Sequence, residues 1–180
     1  MIIGLTGENC AGKGTIAEYL RERGFSYLSL SDILRKELSE EGKEITRENL
    51  INKGNALRRE HGPGALAKKT INRLEPGKDY VIDSIRNGAE AAEIKKLPSA
   101  RLLYVSASPE IRFARMKKRK RENDPESFEE FLKTEAMEMK NKEADRQSLS
   151  DAFALADRRI ANQGSVEELR SKIEMFLKEE

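Results

Sequence analysis

Cysteine, histidine and tryptophan are nearly missing from this chain: its 180 residues include one cysteine, one histidine and no tryptophan. The lone Cys10 excludes an intrachain disulfide. No apolar run approaches the ~18 residues that cross a bilayer. The N-terminus leads into a strand pattern without a charged leader or signal-type apolar segment, which implies a soluble, cytoplasmic protein with no membrane partner. Neither sign of charge dominates, since 34 Lys and Arg face 32 Asp and Glu for a formal net charge of +2. An overall polycation built for nucleic acid is therefore not expected, and any anion site must come from local clustering. Internal repeats, low-complexity tracts and interdomain linkers are also absent. The length suits one domain with a sizeable core.

What is present starts at residue 2. The apolar run Ile2-Ile3-Gly4-Leu5-Thr6 leads into Gly7-Glu8-Asn9-Cys10-Ala11-Gly12-Lys13-Gly14-Thr15, and a helical pattern follows over 15–23. A polyphosphate carries several negative charges that must be held without crowding. Backbone N–H groups of a tight glycine turn at a helix N-terminus supply inward-pointing donors for it. Gly7 and Gly12 permit that path, Lys13 adds a cation for the β- and γ-phosphates, and Thr15 offers a hydroxyl to Mg²⁺ or a phosphate oxygen. Cys10 reads as a small residue within the loop. Gly14 stands where the general pattern G-x-x-x-x-G-K-[ST] has its hydroxyl.

The rest alternates short apolar runs with longer amphipathic ones, the βαβ pattern of a parallel sheet covered by helices. A second strand is expected over 25–30, and a helix opens at Ser31-Asp32 with Arg35 one turn in. Residues 46–59 read as helix, ending at Arg58, Arg59 and the break His61-Gly62-Pro63-Gly64. Tyr80-Val81-Ile82-Asp83 is a buried-type strand ending in a carboxylate, followed by Ser84-Ile85-Arg86. Asp83 suits a strand-end aspartate that orients water on Mg²⁺; the alternative is a cap for a helix over 87–96. After a strand over 102–106, a helix opening at Ser108-Pro109 carries Arg112, Arg115 and Arg119 on one face. This basic run has no interleaved aromatics, so single-stranded nucleic acid is a poor fit. Residues 126–143 read as a highly charged, peripheral or mobile helix. A last strand ends near Ile160, and Asn162-Gln163-Gly164-Ser165 turns into the terminal helix, either as a base-binding loop or as an ordinary β-to-α connection.

Together these pieces resemble the nucleoside monophosphate kinase superfamily over essentially the whole chain. The G-K-G-T form of the loop is similar to its adenylate kinase branch. Ser31-Asp32-Ile33-Leu34-Arg35 resembles the D-x-L-R segment, Asp83-Ser84-Ile85-Arg86 a reduced D-G-F-P-R, and residues 109–119 the P-x-x-x-x-x-R-x-x-x-R approach to a lid. Asn162-Gln163-Gly164-Ser165 resembles the adenine-side loop and the N-D-G-S of dephospho-coenzyme A kinases. Asp83-Ser84-Ile85-Arg86, the 58–64 segment and Asn123-Asp124-Pro125 bring the chain nearest to a scarcely characterised archaeal and bacterial group of nucleotide-kinase-like proteins.

The resemblance implies a P-loop three-layer sandwich with a five-stranded parallel sheet flanked by helices. One domain would span 1–180, with core at about 1–30, 65–115 and 146–180, a helical acceptor cap at about 31–64 and a lid at about 116–145. It implies ATP as donor, Mg²⁺ as cofactor and small nucleotides as partners, and leaves a homodimer open. Gly7, Asn9, Ala11, Gly12, Lys13, Gly14, Thr15, Asn162 and Gly164 would bind ATP; Asp32, Arg35, Arg58 and Arg86 would bind the acceptor, Arg59 assisting. Thr15 and Asp83 would hold the metal. Lys13, Arg86, Arg115 and Arg119 would act on the transferring phosphoryl group, with Arg146 a further candidate. Two alternatives stay open: a dephospho-coenzyme A kinase with Asp32 as base, and an ATP-binding switch. His61, in a Gly-Pro loop, is read as structural or substrate-adjacent.

Overall fold

A computed structural model describes residues 1–119, 124–139 and 149–179. Five strands, β1 (Ile2–Gly7), β2 (Ser26–Ser29), β3 (Tyr80–Ile85), β4 (Ala100–Ser106) and β5 (Arg158–Ala161), form one sheet in the order β2-β3-β1-β4-β5. Every neighbouring pair is parallel. The strands' carboxyl ends therefore share one edge, where open α/β sheets bind ligands.

Alternation along the strands sends side chains to opposite faces. Ile3, Leu5, Val81, Leu103 and Val105 meet α1 (Lys13–Glu22) and α9 (Val166–Leu177) through Ile16, Leu20, Leu169, Ile173 and Phe176. Tyr80, Ile82, Ile85 and Leu102 meet the other layer: α2 (Leu30–Glu40), α3 (Arg47–His61), α4 (Ala65–Ile71), α5 (Gly88–Lys95) and α8 (Leu149–Ala154). Each fully buried Leu or Ile contributes about 1.5–3 kcal/mol. Gly4 faces this second layer, and a Cβ there would stand 2.9 Å from both Ile85 Cδ1 and Leu102 Cδ1. Among the described residues no helix is long and apolar enough to cross a membrane.

Several boundaries differ from the sequence expectation for a local reason. Helix α2 begins at Leu30, not Ser31, because Ser29 at the end of β2 is its N-cap and accepts from the Ser31 amide at 3.2 Å. Asn87, not Asp83, caps α5, accepting from the Glu90 amide at 2.8 Å. Through Leu30, Ile33 and Leu34, α2 packs into the core with Ile82 and Ile85, so the first helix of the segment expected to form a cap lies on the sheet itself.

The charged helix expected over 126–143 is described as α7 (Phe128–Met139), and it is docked, not peripheral. Phe131 is 1% exposed. Its ring lies 5.6 Å from that of Phe113 on α6 (Pro109–Arg119), and Phe113 makes an edge-on contact with Phe128 at 5.4 Å. Three aromatic rings supply the burial that the charged pattern concealed. Asn123, Arg146 and the remainder of the expected helix lie outside the described residues, as does part of the expected lid.

Candidate nucleotide site at the carboxyl edge of the sheet

The glycines of the loop hold conformations that a side chain would strain. Gly7 has φ 135°, and a Cβ there would lie 2.1 Å from the Val105 carbonyl oxygen of the neighbouring strand. Gly12 has φ 111° and is the N-cap of α1, with no side chain to bond the helix's first amides. The N–H groups of Lys13, Gly14 and Thr15 thus face the loop without intrahelical acceptors, an arrangement suited to phosphate oxygens. Cys10 is also left-handed, at φ 58°, and its Sγ lies 3.8 Å from Asn9 Oδ1. Gly14 is exposed, with nothing within 4 Å of a Cβ placed on it.

Lys13 Nζ donates to the carbonyls of Gly7 at 2.8 Å and Glu8 at 2.7 Å, so the ammonium lies across the loop. On the β5 side, Asn162 is buried and its Nδ2 donates to the Ala11 carbonyl at 2.8 Å. Arg115 spans the same two residues, Nη1 donating to Ala11 O at 3.3 Å and Nη2 to Asn162 O at 3.2 Å. Asn162 and Arg115 are therefore brought onto the loop, although they lie far from it in sequence. Gly164 is exposed two residues beyond Asn162.

On the β3 side, Thr6 pairs with Ile85, and Thr6 Oγ1 donates to the Ile85 carbonyl at 3.0 Å. The register slips between Gly4 and Thr6, so that β3 bulges at Asp83 and Ser84, and Ser84 adopts φ 67°. Asp83 Oδ1 accepts from the Ser84 amide at 2.6 Å and Oδ2 from the Tyr27 hydroxyl at 3.3 Å. Burial, then the Asp83 charge, pushes the Tyr27 phenol above its ordinary value, so it remains a donor. Each carboxylate oxygen of Asp83 keeps further acceptor capacity.

Oxygen donors from Thr15 and Asp83 fit Mg²⁺, which binds through one or two carboxylates, substrate phosphates and retained waters. No group of three or more His, Cys, Asp or Glu able to hold a metal occurs among the described residues.

The remaining expected residues divide. Asp32, in the first turn of α2, pairs with Arg35 at 2.6 Å, both partly exposed. Arg86 is half-buried just after β3. Arg58, expected to grip the acceptor, is 2% exposed and paired with Glu90 at 2.8 Å. Its guanidinium is committed to a buried carboxylate and does not present itself to a ligand. Arg119 pairs with Asp124 at 2.8 Å, and Arg59 and His61 are exposed.

Arg112 leaves the expected arginine face altogether. Buried at 3% exposure, it donates to the Ala107 carbonyl at 2.8 Å, lies 3.2 Å from Glu8 Oε2 and bonds Glu135 of α7. Burial lowers its pKa, while the Glu8 charge opposes that shift. Beside it, burial and then the Glu8 charge push the Tyr104 phenol up to about 12. Glu8 and Glu90 were both missed in the sequence, and only Glu90 left a local signal: Asn87-Gly88-Ala89-Glu90 has the spacing of a capping box.

The family described as an AAA domain (AAA_18) matches residues 3–145. A UPF0200 protein of Sulfurisphaera tokodaii is 33% identical over 177 residues, covering 98% of this chain and 96% of that protein. The chain belongs to the UPF0200 family. Among solved structures, this UPF0200 chain resembles TT1252 from Thermus thermophilus at 25% identity and TM-score 0.62, covering 99% of this chain and 97% of that one. Shikimate kinase from Bacteroides thetaiotaomicron shares the fold at 13% identity and TM-score 0.65, covering 99% and 98%. The UPF0200 chain thus has the five-stranded parallel α/β sandwich that the resemblance implies.

Proposed function

We propose that the protein transfers the γ-phosphoryl group of ATP to the phosphate of a nucleoside or deoxynucleoside monophosphate. The observation that carries this reading is Arg115, whose guanidinium rests on the Ala11 and Asn162 carbonyls at the lip of the phosphate loop. A cation at that place covers the anion that the loop amides and Lys13 would bind. A phosphate acceptor already presents an ionised oxygen. That oxygen forms a bond to the γ-phosphorus, the bond to the β–γ bridging oxygen breaks, and ADP leaves with the electron pair. No strong general base is required; the work is to hold two anions in line and offset their repulsion.

Lys13 would exchange the Gly7 and Glu8 carbonyls for phosphate oxygens. Arg86 and Arg35, at the β3 and β2 sides, would hold the acceptor, and Arg115 with Arg119 would cover the transferring group. Mg²⁺ held by Thr15 and Asp83 would neutralise charge on the β- and γ-oxygens. Asn162 and Gly164 would line the base side, α2 and α3 would form the acceptor cap, and α7 would belong to the lid.

The test is ADP formation from Mg-ATP against a panel of ribo- and deoxyribonucleoside monophosphates and dephospho-coenzyme A, with Lys13→Ala as control. Stimulation by one monophosphate, lost in the control, supports the reading. A flat panel with ATP still bound would move the protein to the class of switches. A second reading, transfer to a hydroxyl, is favoured by the Asp32 carboxyl group, which lies 2.6 Å from Arg35 Nη1 on the acceptor side. Asp32→Asn separates the two, because only a hydroxyl acceptor needs a base for its proton.

A further inference from the structure

Glu90 is fully buried, and neither of its carboxylate oxygens faces water. Oε1 accepts from Arg58 Nε at 3.0 Å and Nη2 at 2.8 Å. Oε2 accepts from the backbone N–H of Arg86 at 2.7 Å. The same loop is tied a second time, since Asn87 Nδ2 donates to the Pro63 carbonyl at 3.2 Å, just beyond α3. Gly54 keeps the space for Arg58: a Cβ there would lie 3.2 Å from Arg58 Nη1 and 3.4 Å from Leu34 Cδ1. A glycine inside a helix weakens it, and here it makes room for an ion pair.

A buried ion pair is weak evidence of stability, because apolar residues of similar volume often serve as well. The bond to the Arg86 amide is what such a replacement could not supply. We propose that Glu90 is a positioning residue: one oxygen fixes the backbone from which Arg86 projects, and the other fastens that backbone to α3 through Arg58. The acceptor-phosphate arginine and the cap helix are then set by one carboxylate, so that moving the cap moves Arg86. This rests on the reading of Arg86 as the acceptor's ligand.

Two double variants separate positioning from packing. Both R58M/E90Q and R58M/E90M remove the ion pair and leave no unpaired buried charge, but only the first keeps an oxygen for the Arg86 N–H. In R58M/E90M the Arg86 amide should exchange with solvent deuterium at least tenfold faster than in R58M/E90Q. The KM for the monophosphate acceptor should rise at least tenfold while that for ATP stays unchanged. Equal exchange and equal acceptor KM in the two variants would overturn the proposal, and faster exchange with no change in KM would overturn the positioning role. A measurement without variants guards against misfolding: in the unaltered protein the Arg86 amide should exchange as slowly as the amides of β3, and rapid exchange would overturn it. If the unaltered protein turns over no acceptor, the kinase reading falls and the positioning role with it, a result distinct from an active protein whose two variants behave alike.

Discussion

Arg112 Nε lies 3.2 Å from Glu8 Oε2, which places a buried guanidinium directly behind the phosphate loop. The same guanidinium bonds Glu135, and its carbon stands 5.4 Å from the centre of the Phe131 ring. Glu8 also accepts from the Ala107 amide at 3.2 Å. One cation thus joins the loop, the start of α6 and the docked helix α7. Arg112→Ala would leave two carboxylates unpaired and should cost about 3–5 kcal/mol, the scale for breaking a buried pair. Glu135→Gln leaves Glu8 to face the arginine and should cost about 1.5–3 kcal/mol. Urea unfolding midpoints measure both; equal losses would mean that Glu8 contributes nothing to the arrangement.

In the proposed reaction Lys13 would neutralise charge on the donor and Arg86 on the acceptor phosphate, so their removal should appear in turnover. A donor that works mainly in the transition state is worth about 2.7–4 kcal/mol. Lys13→Ala and Arg86→Ala should each lower kcat by about 100-fold or more on that scale. Near-normal turnover in a folded Arg86→Ala protein would remove its assigned role.

Gly12→Ala tests the loop itself. The residue sits at φ 111°, and its Cβ would meet Asn162 Nδ2 at 2.3 Å, on the amide that donates to Ala11 O. Side chain and backbone are therefore opposed together, at a cost of about 1–3 kcal/mol for the backbone alone. ATP affinity should fall severely, as read by calorimetry. Gly14→Ala, with open space at its Cβ, should bind ATP nearly as well as the unaltered protein. Parity between the two variants would exclude the loop as the ATP site.

What the sequence made legible was whatever depends on neighbours along the chain. The strand, loop and helix at residues 2–22 are written in consecutive residues, and Arg115 and Asn162 are reached through the resemblance of residues 109–119 and 162–165 to family motifs. Arg58 could not be read correctly, because its partner lies 32 positions away and the packing of α4 against both α3 and α5 is what brings them together. Arg112, Arg115 and Arg119 share a helix face in the sequence. In the fold, the approach of α7 and Glu8 draws Arg112 inward and leaves Arg115 on the loop. The docking of α7 was hidden for a similar reason: among its glutamates, Phe131 gains its weight only once Phe113 and Phe128 surround it.

Asp157 gives the protein a specific response to acid. Its Oδ2 accepts from the Leu102 amide at 2.7 Å and its Oδ1 from Lys95 at 2.6 Å, joining the approach to β5 with β4 and α5. Burial raises its pKa, but the bonds from Lys95 and the Leu102 amide, with the charges of Lys95 and Arg101, outweigh burial and hold the carboxyl below the ordinary 3.8. A carboxyl whose pKa is depressed on folding binds its proton more readily in the unfolded chain, so it stabilises the fold above the ordinary value and loses that contribution as pH falls through the lower folded value. Asp157→Asn should therefore be less stable than the unaltered protein at pH 7. The gap should close progressively as the pH drops below about 4, the unfolded aspartate range. Unfolding midpoints at pH 7, 5, 4 and 3 check this, and a gap that stays constant to pH 3 would show that the carboxylate charge has no part in holding β4 to β5.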